Sequence, residues 1–527
     1  MTNKKSMLDI VMDLLIRRGF IAPTAEIYSG LAGFFDYGPI GVKFKRNIEN
    51  SWREFFVFSS WDPLIYEIDG SVVLPEEVLV ASGHVSSFSD PIVSCDKCNS
   101  EHRADHLVEK HLGKNVEGLT ATQLQEKIKK QGITCPNCKG SLSPVEDFNL
   151  MLKTDVGASK NSKRAYLRPE TAQSIFINFK RVSQTMRAKI PFGIAQIGRS
   201  YRNEISPRQG LIRLRGFTQM EIEFFFDPDD QTHAGYDSMK ETRIRLITRD
   251  VQKGPDPDKV TEITIEEGIK KKIFPNELQA YFVGKVFEYY QSIGIPYESL
   301  RFRHMLDEET PFYSKANFDL EISLDIGWKE VVGIAYRTNH DLSTHAQHSG
   351  TKIQAELQVP NQPLKKFVPH VVEPSFGVER TMYSVLEHSY RPKIPKGTEK
   401  KDPSDREWDW FQIPAHIAPF SAMVFPLMKK PELVEKTTEL FKSLKEEGIQ
   451  VFYDQGGAIG RRYARADEIG TPFCFTIDYE TLEDGTVTIR DRDTMKQIRI
   501  KLEDCIGTIK NLLNYKHVFL DLGNLID

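Results

Sequence analysis

The chain has 527 residues, 40% of them hydrophobic and 27% charged, with a formal net charge of −4 and a sequence pI near 6.4. That length allows about three domains, each with its own core. The acidic balance excludes a protein coated with general positive charge for nucleic acid, so any RNA partner is met by local patches. No apolar run approaches the roughly eighteen residues of a membrane helix, and Asp9 and Asp13 interrupt the apolar positions that a signal peptide needs. The expectation is a cytoplasmic protein without membrane association. Of six cysteines, four form two CxxC pairs, which suits a reducing compartment and a metal better than a disulfide framework.

In chain order, Met7, Leu8, Val11, Leu14 and Leu15 recur at helical spacing and predict an amphipathic helix ending near Gly19. The glycine-rich stretch Gly30–Gly41 lacks the lysine and the spacing of a phosphate-binding P-loop. Val42–Phe56 reads as a helix with Phe44, Ile48, Trp52 and Phe55 on one side. Cys95-x-x-Cys98 and Cys135-x-x-Cys138 follow, with helical filling over Leu107–Gln131. Two CxxC turns present four thiolates for a tetrahedral structural zinc; four free thiols are the alternative. Leu167-Arg168-Pro169-Glu170 reads as the end of a strand, with Pro169 in the first turn of the helix that carries Ile175 and Phe179. In that position Glu170 also reads as a carboxylate favoured by the helix dipole.

The most informative stretch is Gly198–Phe226. Met220, Ile222 and Phe224 alternate with Gln219, Glu221 and Glu223, the pattern of a strand with one apolar and one polar face. Gln196, Ser200, Arg202 and Glu204 form the matching face of a preceding strand, with a turn-rich loop Ser206–Gly210 between the two. The expectation is a hairpin whose exposed face carries both charge signs. From Lys180 to Gly216 nine basic residues stand against one acid, Glu204. Ordered arginines suit a polyphosphate, whose oxygens their guanidinium forks bind in pairs. A solvated hairpin laced with salt bridges is the bland alternative.

Residues 227–303 read as an insertion with a helix near Asn276–Ser292, and Asn317–Glu321 and Gly327–Arg337 as strands of one sheet. Phe367–Val372 is a short β-branched strand, and Glu373–Arg380 turns it into a helix. Arg391–Trp410 is rich in proline and charge, a linker or strap. From Ile413 strands and helices alternate, which argues a compact α/β domain with a parallel or mixed sheet. Gly456, Gly457, Gly460, Arg461, Arg462 and Arg465 form either an RNA-facing edge or a solvated helix start.

Arg202-Asn203-Glu204, the arginine loop and the strand after it resemble the second signature motif of class II aminoacyl-tRNA synthetases, and YRNEISPRQGLIRLRGFTQMEIEFF is similar to its glycyl-tRNA synthetase version. EIYSGLAGFFDYGPIGVKFKRNIENSWREFFV looks like the first, dimer-forming motif, and EPSFGVER resembles the third. LRPETAQ matches a further signature of the family, and the class I signatures HIGH and KMSKS do not occur. The resemblance covers nearly the whole chain. It implies an α+β fold: an antiparallel-sheet catalytic domain over 1–395, interrupted by a cysteine-rich module at 91–147 and a second insertion at 228–303, then a linker at 396–413 and an α/β anticodon-binding domain at 414–527.

The activity implied is ATP-dependent formation of glycyl-adenylate, followed by transfer of glycine to the terminal adenosine of its tRNA by a homodimer, with Mg²⁺. The resemblance places ATP on Arg202, Asn203 and Glu204, on Ile212, Arg213, Leu214, Arg215, Gly216 and Phe217, on Glu330 and Val331, and on Gly377, Val378, Glu379 and Arg380. Arg202, Glu204 and Arg380 are the catalytic members: Arg202 for the α-phosphate, Glu204 for the adenine amino group, and Arg213 with Arg380 for the distal phosphates. It places glycine on Arg103 and Glu170, on Phe217, Thr218, Gln219, Met220 and Glu221, and on Glu373, Pro374, Ser375, Phe376 and Gly377. Glu170, Glu221 and Ser375 receive the ammonium, with Glu373 beside them. Gly216 departs from the pattern, since many relatives carry glutamate there. A non-catalytic relative of the same fold is the rival; it would be expected to lose Arg202, Glu204 or Arg380, and all three are present.

Overall fold

The computed structural model describes residues 5–59, 63–113, 116, 118–158, 161–205, 207, 209–311, 313–358, 360–399, 402, 405–514 and 518–526. Ser206 and Arg208 of the arginine loop lie outside the described residues, as do residues 400, 401, 403 and 404 of the linker. No described helix is long and apolar enough to cross a membrane.

The opening helix α1 (Met7–Arg17) is capped by Ser6, whose hydroxyl accepts the Asp9 N–H, and it buries Val11, Leu14 and Leu15. Helix α2 (Pro39–Trp52) starts on a proline, where the missing N–H costs nothing, and buries Phe44, Ile48 and Trp52. The elements that follow are β1 (Ile65–Ile68), α3 (Ala172–Thr185), β2 (Phe192–Tyr201), β3 (Gly216–Phe226), β4 (Arg243–Ile247), β5 (Thr261–Thr264), α4 (Glu277–Ser292), β6 (Leu300–His304), β7 (Ala316–Leu324), β8 (Gly327–Thr338), α5 (His340–Ser349), β9 (His370–Gly377) and α6 (Val378–Ser389). Nine strands form one sheet in the order β5-β4-β6-β7-β8-β9-β3-β2-β1. Only the β1–β2 and β4–β6 pairs are parallel, and the rest run antiparallel. Residues 228–303 are built into this sheet: they supply β4, β5 and β6 at one edge, and α4, which buries Phe282, Phe287, Tyr289 and Tyr290 against the core.

Four local expectations are corrected. Strand β2 ends at Tyr201, so Arg202 and Glu204 leave the strand and enter the loop. The polar face of the hairpin is not solvated: Glu221 is 1% exposed and Glu223 fully buried. Helix α3 covers this face, packing Ile175, Phe176 and Phe179 on Phe192, Ile194 and Phe225. Alternation reports only that a face is polar, and this one is shielded by a second layer. Strand β9 runs on through Glu373 and Ser375 to Gly377, with Pro374 opposite Ile334 in mid-sheet. Proline lacks a ladder donor and ordinarily signals a strand edge, which is why the sequence reads as ending near Val372. Helix α3 begins at Ala172, so Pro169 precedes it rather than starting it.

Arg168 is the prop beneath the hairpin. It is 1% exposed, and its guanidinium donates to Arg199 O and Gly70 O, each at 2.9 Å. A Cβ at position 198 would collide with it, which explains the glycine of β2.

The second domain holds β10 (Ala422–Pro426), α7 (Pro431–Glu446), β11 (Val451–Tyr453), α8 (Ile459–Glu468), β12 (Phe473–Ile477), β13 (Thr486–Asp491), β14 (Gln497–Lys501), α9 (Cys505–Leu513) and β15 (Asn524–Ile526). Its sheet order is β11-β10-β12-β13-β14-β15, parallel across the first two pairs and antiparallel beyond. The strap before it is fastened. Arg406 is buried, its guanidinium 3.6 Å from the Trp410 ring centre and 3.4 Å from Asp467 of α8. The basic edge expected at α8 is partly structural: Arg462 is buried against the carbonyls of Pro426 and Leu427, and Arg465 is paired with Asp454 at 2.6 Å.

Candidate active site

The polar faces of β3 and β9 floor a cleft of about 310 Å³, walled by the arginine loop, β8 and the start of α6. At its deep end Glu221 accepts hydrogen bonds from Ser375 Oγ at 2.6 Å, from Gln219 Nε2 at 2.7 Å and from the Thr171 hydroxyl. Burial and the neighbouring Glu170 charge raise the Glu221 carboxyl, and the Ser375 and Thr171 hydroxyls oppose them. Glu170 accepts from Gln173 Nε2 at 2.9 Å and lies 3.5 Å from His84 Nε2. Burial disfavours its charge, but His84, Arg337 and the Gln173 amide outweigh that and hold this carboxyl well below the usual range. Arg337, fully enclosed, grips Asp341 through two bonds of 2.8 and 2.9 Å and Glu373 at 2.9 Å. Burial nonetheless pushes the Glu373 carboxyl up to about 8, with Arg337 pulling the other way. The deep end is a nest of carboxyls around one buried guanidinium, which fits a small cation such as an ammonium group.

The outer end is basic. Arg202 Nε donates to Pro169 O at 3.1 Å, and its guanidinium lies 5.3 Å from the ring centres of both Phe88 and Phe217. It pairs with no carboxylate among the described residues. Arg213 lies 3.7 Å from Glu204. Arg380 donates to Glu330 O at 2.8 Å and to Ile212 O at 3.2 Å, and it touches the Glu330 carboxylate at 3.2 Å. The loop, β8 and α6 therefore converge on one arginine. Guanidinium groups held by carbonyls and ring faces keep their charge for a ligand, and the arrangement suits a polyphosphate.

Of the residues expected from the sequence, the cleft is lined by Glu170, Arg202, Glu204, Ile212, Arg213, Leu214, Phe217, Gln219, Glu221, Glu330, Val331, Glu373, Ser375, Phe376, Gly377, Glu379 and Arg380. The others lie elsewhere. Met220 and Val378 point into the apolar core, the reverse face of their elements. Pro374 alternates with Glu373 and Ser375 and is buried on that same side. Thr218 gives its N–H, at 2.7 Å, and its hydroxyl to Glu379. Arg215 ties the loop together through Glu204 O and Ala32 O, and Asn203 N–H donates to Leu150 O at 2.6 Å. Gly216 faces Phe34, whose ring would stand 3.0 Å from an added Cβ. Arg103 is held by Asp90 and Asp105 and lines a neighbouring depression with Arg213.

The sequence reading missed Arg337, Asp341, Thr171 and Gln173.

The cysteine module builds two matching turns: Asn99 N–H returns to Cys95 O at 3.0 Å and Lys139 N–H to Cys135 O at 2.9 Å. Asn99 and Lys139 both adopt positive φ. Cys95 and Cys138 Sγ lie 3.4 Å apart, Cys98 and Cys135 Sγ 3.7 Å, and all four sulfurs fall within 4.8 Å of one another. Tetrahedral zinc–thiolate bonds would separate the sulfurs by about 3.8 Å, so the donor set fits.

The tRNA synthetase class II core domain (G, H, P, S and T) matches residues 152–389, and an anticodon binding domain matches 421–512. The glycine–tRNA ligase of Pyrococcus furiosus is 40% identical over 96% of this chain and 99% of its own length. Those of Methanothrix thermoacetophila, at 39% over 97% and 98%, and of Methanocaldococcus jannaschii, at 38% over 97% and 100%, are similarly close. A prolyl-tRNA synthetase from Cryptosporidium parvum shares the fold at a TM-score of 0.54 and 13% identity, over 97% of this chain and 78% of that one.

Proposed function

The chain belongs to the glycine–tRNA ligase family of class II synthetases, and we propose that it joins glycine to its tRNA in two ATP-driven steps, with the cleft over β3 and β9 as the site of glycine activation. The observation that carries this reading is a carboxyl-lined deep end next to an arginine-lined mouth within one cleft. Pyrophosphate exchange tests it with glycine against alanine.

The glycine carboxylate attacks the α-phosphorus of ATP in line. The bond to the bridging oxygen breaks, and pyrophosphate leaves. The terminal hydroxyl of the tRNA then attacks the carbonyl of the glycyl-adenylate, with AMP as leaving group. No side chain forms a covalent bond; the chain's work is positioning and charge stabilisation. Arg202 meets the charge that builds on the α-phosphate, and its tether to Pro169 means no reorganisation is needed. Arg213 and Arg380 meet the distal phosphates, and Glu204 the adenine amino group. Mg²⁺ carried with the nucleotide would supply charge neutralisation at the phosphates. Glu330, half exposed at the mouth and paired with Arg380, is the carboxylate at hand. Glu170, Glu221 and Ser375 hold the ammonium beside Glu373. Selectivity on this reading is steric: the ammonium end excludes alanine by clash, and no amino acid smaller than glycine exists to slip in.

Within this reading residues 1–395 are catalytic, including the module at 91–147 and the stretch at 228–303; 396–413 are the linker and 414–527 read the anticodon. The working form is a cytoplasmic homodimer. Exposed apolar side chains support that reading: Ile27 and Tyr28, 89% and 81% exposed, and Leu31 on the first motif, with Phe58 just after it. The cysteine module holds one structural zinc per chain. Elemental analysis is expected to find about one equivalent, with Cys135→Ala removing it and lowering the stability of the module; zinc-free native protein would count against the site.

A further inference from the structure

Beneath the ammonium end of the cleft lies a second carboxyl that the mechanism does not use. Glu223 follows Glu221 on the same face of β3, is fully buried, and does not line the cleft. Both its carboxyl oxygens lack a hydrogen-bond partner. Glu221, Glu223 and Glu373 each bring a carboxylate oxygen within 4.8 Å of the others. The charged groups facing this cluster are Arg337 and Asp341 from β8 and α5 and Glu170 from the segment before α3. Arg337, the cation whose charge acts on Glu223, is already shared by Asp341 and Glu373, and Arg168, buried beneath Glu221, spends its guanidinium on the carbonyls of Arg199 and Gly70. A third negative charge here would be both desolvated and unpaired, which buried carboxyls avoid by keeping a proton.

We propose that Glu223 is a positioning residue for glycine: it stays protonated, so that no further charge builds beside Glu221 and Glu373, and it donates its O–H toward Glu373 to hold that carboxyl in place. Burial, then the Glu373 charge, raises this carboxyl well above the ordinary range, in line with the geometry. The inference rests on the reading of the cleft as the glycine site.

Glu223→Gln keeps the shape and a permanent donor, whereas Glu223→Leu keeps only the volume. In wild-type protein at neutral pH, infrared difference spectroscopy should show the carbonyl stretch of a protonated carboxyl, with one component lost in Glu223→Gln. The glutamine variant is expected to hold the KM for glycine within about threefold. The leucine variant should raise it roughly tenfold or more with the KM for ATP unchanged, because Glu373 loses its donor. A carbonyl band that is absent or unaltered by Glu223→Gln, or an equal rise in KM in both variants, would overturn the proposal. If Glu223→Leu does not fold, the glutamine variant and the band decide it. The band does not depend on turnover, so it separates this inference from the glycine reading, which wild-type exchange tests alone.

Discussion

Arg202→Ala is expected to lower glycine-dependent pyrophosphate exchange by about three orders of magnitude while leaving the fold intact. A preorganised donor aimed at developing transition-state charge is worth about a hundred- to a thousandfold in a shielded site. Arg202 carries a whole charge and not only one donor, which places the effect at the upper end of that range. Its guanidinium sits at the edge of the cleft, held by one carbonyl between two phenyl rings, so alanine strands no buried charge. Arg202→Lys should recover little, because a point charge cannot repeat the planar fork or stack on Phe217. The loss belongs in kcat, with the KM for ATP moving far less. A fall of less than tenfold would remove Arg202 from the chemistry.

Glu221→Ala should act on the other substrate. Truncating one member of a desolvated charge pair costs about 2–5 kcal/mol, so the apparent affinity for glycine should fall by roughly a hundredfold or more, with ATP binding unchanged by calorimetry. Glu221→Gln is the sharper probe. It preserves the volume between Ser375 and Gln219 but removes the charge, and it should lose most of the same affinity. An unchanged KM for glycine in both variants would mean that the ammonium binds elsewhere.

Much of this architecture was legible in the sequence. The alternation from Gln219 to Phe224 defines β3 and its register with β2, and the two CxxC pairs meet as four converging sulfurs. The strand–helix order after Ile413 becomes a mixed sheet. What stayed hidden has a common cause: local pattern reports chemistry along one element but not what covers it. Glu221 and Glu223 read as a solvated face because nothing in their own strand announces α3. Pro374 reads as a strand end because it lacks a ladder donor, and the strand runs on because the ladder to β3 is interrupted opposite Glu373 and Pro374 while the one to β8 continues. Arg337 and Asp341 stayed hidden because Glu373, the partner of Arg337, comes from a strand more than thirty residues away. Met220 and Val378 show the reverse error: a motif names consecutive residues, and a strand or helix can present only some of them to a ligand.

The central claim is that one cleft activates glycine with ATP. The most direct test is ATP–pyrophosphate exchange by the purified protein with glycine, alanine, serine and no amino acid in parallel. Exchange with glycine alone is the predicted result, since the carboxyl nest supplies the ammonium site and the proposed selectivity is by size. Equal exchange with alanine or serine would contradict the size-exclusion account, and no exchange with any of them would contradict the assignment of the cleft itself.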